Sequence, residues 1–504
     1  MMRRFDNIKV VFMIALSLTI SSCKKSFLEK VPKGILVATT YEDYDKLMNN
    51  TSYYIYGSAG PWQPAMLMGD EVSAEDTNFN QQGMEQAGYF FQWEKDIFIP
   101  STGSFEAMDN PGFLSRFLGD LYTVNMIVHG VTGATGGTAP QKLDIQAQAK
   151  VTRAYIHFQL LNYFTKPYSA ATASADLGFP IIRTAEATAT DFKRGTLQQS
   201  YDAIIDDISS SIPNLKIQPA FPTRMSKPAA EALLGKIYLF MGRHAEALKL
   251  FNDAFSDLSK MNNPPRLYDY NETFATGGAF LPISPVSGPN SPFNNSTDIT
   301  ESLVAKMSYS GSYNGNGYSN DFLTISPQTV ALYQNSDWRL QFYTDLQADF
   351  SPIPVTGGNV RLRKYGVRFS RIGMQLSELY LLRAEARARA GDLSGAKEDV
   401  EALRVKRMPS DQVAIPSPTA GDQTALLKFI LDERIREFAA EGYRWFDMRR
   451  LSVDPLFANQ PAAKHIRYAA DGTVFKEFTL SPARLTLKIP PPYLTAHPEM
   501  LDNP

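Results

Sequence analysis

Residues 228–254 read PAAEALLGKIYLFMGRHAEALKLFNDA. Leu234, Gly235, Tyr238, Gly242, Ala247, Phe251 and Ala254 fall at the spacings of a tetratricopeptide repeat, a pair of antiparallel helices of about 34 residues. Small residues at Gly235 and Ala247 let the two helices approach closely, and Tyr238 and Phe251 fill the space around them. Gly242 stands where the first helix must stop, a place that suits a left-handed cap.

Weaker copies lie on both sides. Residues 374–405 (MQLSELYLLRAEARARAGDLSGAKEDVEALRV) keep Ala384, Gly391, Ala396, Val400 and Leu403 in the same places, with Arg387 where Tyr238 stood. A split pair is expected from 145–164 (IQAQAKVTRAYIHFQLLNYF) and 196–212 (TLQQSYDAIIDDISSSI), with Ala203 as its small residue and a loop ending in GFPIIRT between. A fourth unit begins in 422–450. One such repeat cannot bury its apolar face alone, so the pairs should stack into a continuous core. The expected fold is mainly α: a superhelix of about four helix pairs, over 145–260 and 370–450, decorated by long irregular loops with minor β structure.

The loops are 50–140, rich in Gly, Asn and aromatics, and 262–370, rich in Pro, Gly, Asn and Ser. In 50–140 one helix is expected around FLSRFLGDLYTVNMIVHGV. Long loops on a rigid scaffold are the natural place for a binding surface. Sugar rings offer apolar C–H faces and a rim of hydroxyls, so aromatic platforms beside Asp and Asn suit them. Trp62, Trp93, Tyr313 and Tyr318 are the expected platforms, with Asn316 and Asp70 on the rim. Trp338 and Trp445 fall in segments read as structural.

Composition narrows the classes. The 504 residues are 44% hydrophobic and 20% charged, which describes a folded globular chain. A net charge of −2 supplies no field to attract phosphates, so no nucleic-acid partner is expected. The single Cys excludes cysteine-built zinc sites and an internal disulfide. The five histidines are scattered, without an HExxH pair, and no P-loop or nucleophile elbow is present. The run GDEVSAED, 69–76, gathers Asp70, Glu71, Glu75 and Asp76. EF-hand spacing is absent, so a solvated loop or a hydrogen-bonding rim is expected there rather than calcium, and no cofactor. The charged stretch DERIREFAAEGYRWFDMRR, 432–450, reads as one helix with i,i+3 and i,i+4 ion pairs. Phe438, Tyr443, Trp445 and Phe446 are expected to pack inward from it.

The lone cysteine marks the start of the mature chain. Arg3 and Arg4 precede an apolar run, Val10 to Ile20, too short to span a bilayer. Ile20-Ser21-Ser22-Cys23 then resembles a bacterial lipoprotein box. Residues 1–22 are therefore expected to be a signal peptide and Cys23 the lipidated residue, with 24–45 a tether and N-terminal segment. Acyl chains contribute about 0.8 kcal/mol per buried CH₂, so two or three anchor durably.

Taken in order, the lipobox, AKVTRAYIHFQLLNYFTKPY (149–168) with GFPIIRT, YDAIIDDISSSIPNL (201–215), SKPAAEALLGKIYLFMG (226–242), SELYLLRAEARARAGD (377–392), the charged stretch 432–450 and the ending LTLKIPPPYLTAHPEMLDNP resemble the SusD/RagB family. These are starch-utilisation-system D-like lipoproteins of the Gram-negative outer membrane. The ending departs from the family pattern: no Gln-Ser-Glu follows the IPP, and no Gly-Tyr follows the final Asn-Pro. The resemblance implies one SusD-like domain over 23–504 at the cell surface. It implies a non-enzymatic capture protein that passes oligo- or polysaccharide to a SusC-like TonB-dependent transporter. Peptide binding on the same scaffold, a glycoside hydrolase with two carboxylates, and a bare repeat scaffold for other proteins are the alternatives.

Overall fold

The computed structural model describes residues 38–56, 63–79, 85–99, 112–186, 192–309, 321–366 and 368–504. Twelve helices carry the description: α1 (Tyr41–Leu47), α2 (Gln63–Met68), α3 (Glu85–Phe91), α4 (Gly112–Gly130), α5 (Ala139–Phe164), α6 (Leu197–Ser209), α7 (Lys227–Phe240), α8 (His244–Leu258), α9 (Leu376–Arg389), α10 (Leu393–Arg404), α11 (Gln423–Phe438) and α12 (Tyr443–Leu451). Among the described residues no helix is long and apolar enough to cross a membrane.

The repeat pairs form as the spacing predicts. Helices α5/α6, α7/α8 and α9/α10 are paired, α8 packs on α9, and α11 packs on α9 and α10. At the 228–254 pair, a Cβ on Gly235 would lie 2.6 Å from the fully buried Phe251 ring, so the close approach needs glycine. Gly242 and Gly391 follow the ends of α7 and α9 at φ +76° and +85°, the left-handed caps that turn each chain back into its partner helix. We expect Gly235→Ala to cost about 1–3 kcal/mol by overpacking, measured as a shift in urea midpoint with an unchanged slope.

Five of the long helices, α5, α6, α7, α10 and α11, begin at a side-chain cap. Thr138 opens α5 and Thr196 opens α6, both with a glutamine three residues on completing a capping box. Within the bundle, Arg153 of α5 donates two bonds to Asp207 of α6 at 2.8 and 2.7 Å and one to Asn125 of α4 at 2.8 Å. The C-terminal segment closes on this corner. Asn503 donates to the carbonyls of Phe164 and Leu487 at 2.8 and 2.7 Å. Asn503→Ala leaves the Leu487 carbonyl without this donor and the Phe164 carbonyl with Arg194 alone, and a loss of about 1–3 kcal/mol is expected in the same unfolding assay.

The charged stretch 432–450 differs from the single helix expected. Helix α11 ends at Phe438, and Ala440 (φ +57°) and Gly442 (φ +90°) break the chain before α12 starts at Tyr443. Phe438, Tyr443, Trp445 and Phe446 do pack inward. Arg436–Glu433, at 2.7 Å, and Arg450–Asp447, at 2.8 Å, are ion pairs inside single helices. Most partners are distant in sequence and buried. Glu433 receives Arg339 and Arg404, Glu437 receives Arg339 and Arg407, Glu385 receives Arg450, and Glu441 receives Lys364. The arginines and carboxylates therefore join α9, α10, α11 and α12 to the loop around residue 339.

Among the described residues eleven short strands form small sheets: β1 (Ile55–Tyr56), β2 (Val72–Glu75), β3 (Ser302–Val304), β4 (Met307–Tyr309), β5 (Leu323–Ile325), β6 (Tyr343–Thr344), β7 (Arg363–Lys364), β8 (Phe369–Arg371), β9 (Met374–Gln375), β10 (Lys464–Tyr468) and β11 (Val474–Thr479). Their orders are β1-β4-β8, β11-β10-β2-β5, β3-β9 and β6-β7.

Candidate functional site

Two pairings bring the separate loop regions together. β1 runs parallel to β4, with Ile55 opposite Met307 and Tyr56 opposite Ser308. In sequence β1 ends at Tyr56, six residues before Trp62, and β4 ends at Tyr309, four residues before Tyr313. Parallel strands release their chains at the same end. β2 and β5 are antiparallel, Ala74 opposite Leu323, and the Glu75 amide donates to the Phe322 carbonyl at 2.8 Å. The exit of β2 therefore adjoins the entry to β5. β10 adds to the other side of β2 in parallel, Arg467 opposite Ala74.

The acidic run 69–76 does not converge. Both oxygens of Asp70 accept from Arg444 of α12, at 2.6 and 2.9 Å, and the carboxylate keeps 28% exposure. Burial raises this carboxyl, but the Arg444 guanidinium outweighs it and holds the group below the usual carboxylate range. Glu75 pairs with Arg361 at 2.6 Å, and the Arg361 guanidinium lies 3.8 Å above the Tyr468 ring. Asp76 pairs with Arg467, whose guanidinium stacks on Phe79 and on the exposed Phe475 at 4.3 and 4.9 Å. Glu71 is buried and neither carboxyl oxygen has a hydrogen-bond partner. Burial, helped by the adjacent Asp70 charge, pushes its pKa up to about 8. Among the described residues no group of three or more His, Cys, Asp or Glu is placed to hold a metal.

Trp93 is a correction. The expected platform is 4% exposed, its indole donates to the Met68 carbonyl at 3.0 Å, and one face stacks on His465 at 3.8 Å. A side chain so enclosed has no face to offer a sugar; it belongs to the core that joins α2 and α3 to β10. Trp338 and Trp445 are structural as expected: Trp338 bonds Asn271 at 3.0 Å, and Trp445 is fully buried. Trp62, Tyr313, Asn316, Tyr318 and Cys23 lie outside the described residues.

Among the described residues, Tyr122, Phe221, Phe350 and Phe475 are exposed aromatics that sequence reading did not single out, and two of them stand out. Phe350 is 48% exposed at a turn with φ +66°, and Phe475 is 57% exposed on the edge strand β11. Positive φ at a bulky residue is strained and rare. Nothing in the local sequence separates these from the other phenylalanines, because only the strand order makes β11 an edge.

The class defined by these features is a helical-repeat scaffold that presents a composite loop-and-strand face. Residues 63–239 match the family model described as "Starch-binding associating with outer membrane", and residues 363–485 match that of the SusD family. Each match covers less than half of the chain, and together they make it similar to the SusD/RagB family. It is similar to the SusD-like protein P38 of Formosa agariphila, 21% identical, with 89% of this chain and 92% of that one covered. Among solved structures it is similar to a SusD superfamily protein from Bacteroides thetaiotaomicron, TM-score 0.67 at 18% identity, covering 92% of this chain and 100% of that one. A laminarin-binding SusD-like protein superposes with TM-score 0.60 at 17% identity, covering 93% and 100%.

Proposed function

We propose that this protein captures an oligo- or polysaccharide outside the cell and delivers it to a partner TonB-dependent transporter, without chemical change. The observation that carries the reading is the parallel pairing of β1 with β4. The strand that precedes the Trp62 segment in sequence is thus paired with the strand that precedes the Tyr313–Tyr318 segment, although some 250 residues separate them. Two aromatic-bearing stretches starting from adjacent strand ends suit a ligand with apolar faces and a hydroxyl rim. Asp70, partly exposed and oriented by Arg444, keeps acceptor capacity for a hydroxyl rim. The relative that binds laminarin supports a glycan over a peptide. The family model's outer-membrane description supports the lipobox reading of Cys23. A glycosidase needs two free carboxyls across a substrate. In the acidic run three are bound to arginine and the fourth is buried.

Calorimetry on the chain from about residue 26 tests this, against laminarin, starch and other glycans, with mixed peptides alongside and product analysis on the same samples. Binding of one glycan class without shorter products is expected. Peptide binding alone, or release of shorter sugars, overturns the reading. Trp62→Ala, and separately Tyr313→Ala with Tyr318→Ala, should each weaken glycan binding by about 5- to 100-fold, the loss of one stacked aromatic contact worth about 1–3 kcal/mol. Lipid attachment is tested by labelled palmitate, which should enter the full chain and not Cys23→Ala. Delivery is tested by co-purification with a TonB-dependent transporter from the native membrane.

A further inference from the structure

His465 is fully buried in β10, between two aromatic rings. Phe91 lies 4.3 Å from it on one side and Trp93 3.8 Å on the other, both nearly parallel. At the ring edge, Nδ1 stands 2.6 Å from the Phe91 carbonyl oxygen and Nε2 stands 2.6 Å from the Gly69 carbonyl oxygen. These are the carbonyls that end α3 and follow α2. Carbonyls in the last turn of a helix lack intrahelical donors, and they gather partial negative charge.

A carbonyl oxygen only accepts. A neutral imidazole carries one N–H and one bare lone pair, so it can serve one of these carbonyls and must oppose the other. The imidazolium donates to both, and the π faces above and below favour a cation. We propose that His465 is a buried imidazolium at neutral pH, a pin that closes the ends of α2 and α3 onto β10. Charged groups surround the pin. Asp70, bound to Arg444, favours the cation; Glu71 follows it in the same turn; Glu94, Lys95, Arg484 and Lys488 line a cleft beyond Trp93. Burial acts the other way. If it dominates, the ring titrates at about 4 and is neutral at pH 7, and one of the two contacts must open. The pin also holds α2, the helix that follows Trp62 in sequence; an effect on glycan binding rests on the glycan-binding reading, whereas the charge does not.

Nitrogen NMR of the chain with labelled histidine decides the charge. The His465 signal is the one lost in His465→Gln. Protonation of both ring nitrogens at pH 7, with a pKa above the ordinary value of about 6.5, is expected. One protonated and one bare nitrogen at pH 7 overturns the proposal. Stability gives a second, opposite-signed readout. Glutamine offers one donor end and one carbonyl end, so it cannot satisfy both backbone oxygens. If the folded pKa is raised, the wild-type advantage over His465→Gln is largest below about 6.5 and shrinks as pH rises through the folded value. If the pKa is depressed, that advantage shrinks as pH falls instead, and the proposal fails. A several-fold weaker glycan affinity of His465→Gln at pH 6 is expected from mispositioning. An unchanged affinity overturns the positional consequence and leaves the charge to the NMR result.

Discussion

Replacing Glu433 by alanine is expected to cost about 3–5 kcal/mol of folding stability, the penalty for leaving buried charges without their partner. Glu433 is fully buried in α11. It accepts from Arg339 at 2.7 Å, from Arg404 at 2.8 Å and from Arg436 at 2.7 Å. Removing the one carboxylate strands three guanidinium groups in a place that water does not reach. Arg339 keeps Asp337 and Glu437, so part of its charge stays balanced; Arg404 falls back on the carbonyls of Val413 and Gln412. Glu433→Gln retains the shape and loses the charge, and a smaller cost than that of alanine is expected. Equilibrium urea unfolding of the three chains measures both. A cost below about 1 kcal/mol for alanine, the range of a surface ion pair, would show that the cluster is solvated in solution.

The same network sets the acid limit of the fold. Burial pushes the Glu433 and Glu385 carboxyls up, but the surrounding arginines outweigh it and hold both at about 2. An unfolded glutamate titrates near about 4.3, so between that pH and about 2 the unfolded chain binds more protons than the folded one. Stability from these groups is complete above about 4.3 and is lost as pH falls toward 2. The Glu433→Gln chain should show a shallower acid loss than the wild type over that interval.

Glu71→Gln is expected to act in the opposite direction and to stabilise. The carboxyl is buried, neither oxygen is hydrogen-bonded, and its pKa is pushed up to about 8. Here the folded chain binds the proton more tightly than the unfolded one. The stability linked to that proton is present below about 4.3 and is lost as pH rises through about 8. Glutamine keeps the shape of the neutral acid and has nothing to ionise. Its advantage over the wild type should be near zero at pH 4 and grow by roughly 1.4 kcal/mol per pH unit to about 3–5 kcal/mol at pH 8. Melting of the two chains from pH 4 to pH 9 checks this. A constant difference across the range would mean that Glu71 finds a partner or water in solution. Glu71 lies two residues from Gly69, whose carbonyl faces His465 of β10, so the His465 titration should be repeated in Glu71→Gln to keep the two groups apart.

The repeat helices were legible because their signal is local. Gly235, Ala247 and Phe251 sit at fixed offsets that only a close helix pair requires, whereas the capping box at Thr138, which starts α5 before the expected residue 145, was not read from the sequence. The charged stretch 432–450 was half legible. Its aromatics point inward as periodicity demands, but the break at Ala440–Gly442 changes which charges share a face, and the partners Arg339, Lys364 and Arg404 are remote in sequence. Trp93 shows the limit for the site. Its composition-rich surroundings suggested a platform, and burial is a property of what packs on a residue rather than of its neighbours in the chain.

By itself the sequence determined the mainly helical class, the repeat pairs and their closing glycines, since backbone periodicity and cap chemistry act over a few residues. The ordered run of motifs carried the resemblance to the family. Only the tertiary structure decided that Asp70, Glu75 and Asp76 turn to three separate arginines, that Glu71 is sealed without a partner, and that Trp93 belongs to the core. Tertiary structure also joined β1 to β4 and set His465 between the ends of two helices. The physical reason is the same in each case: burial and ion pairing are set by residues that meet across hundreds of positions, and a one-dimensional pattern holds no record of those meetings.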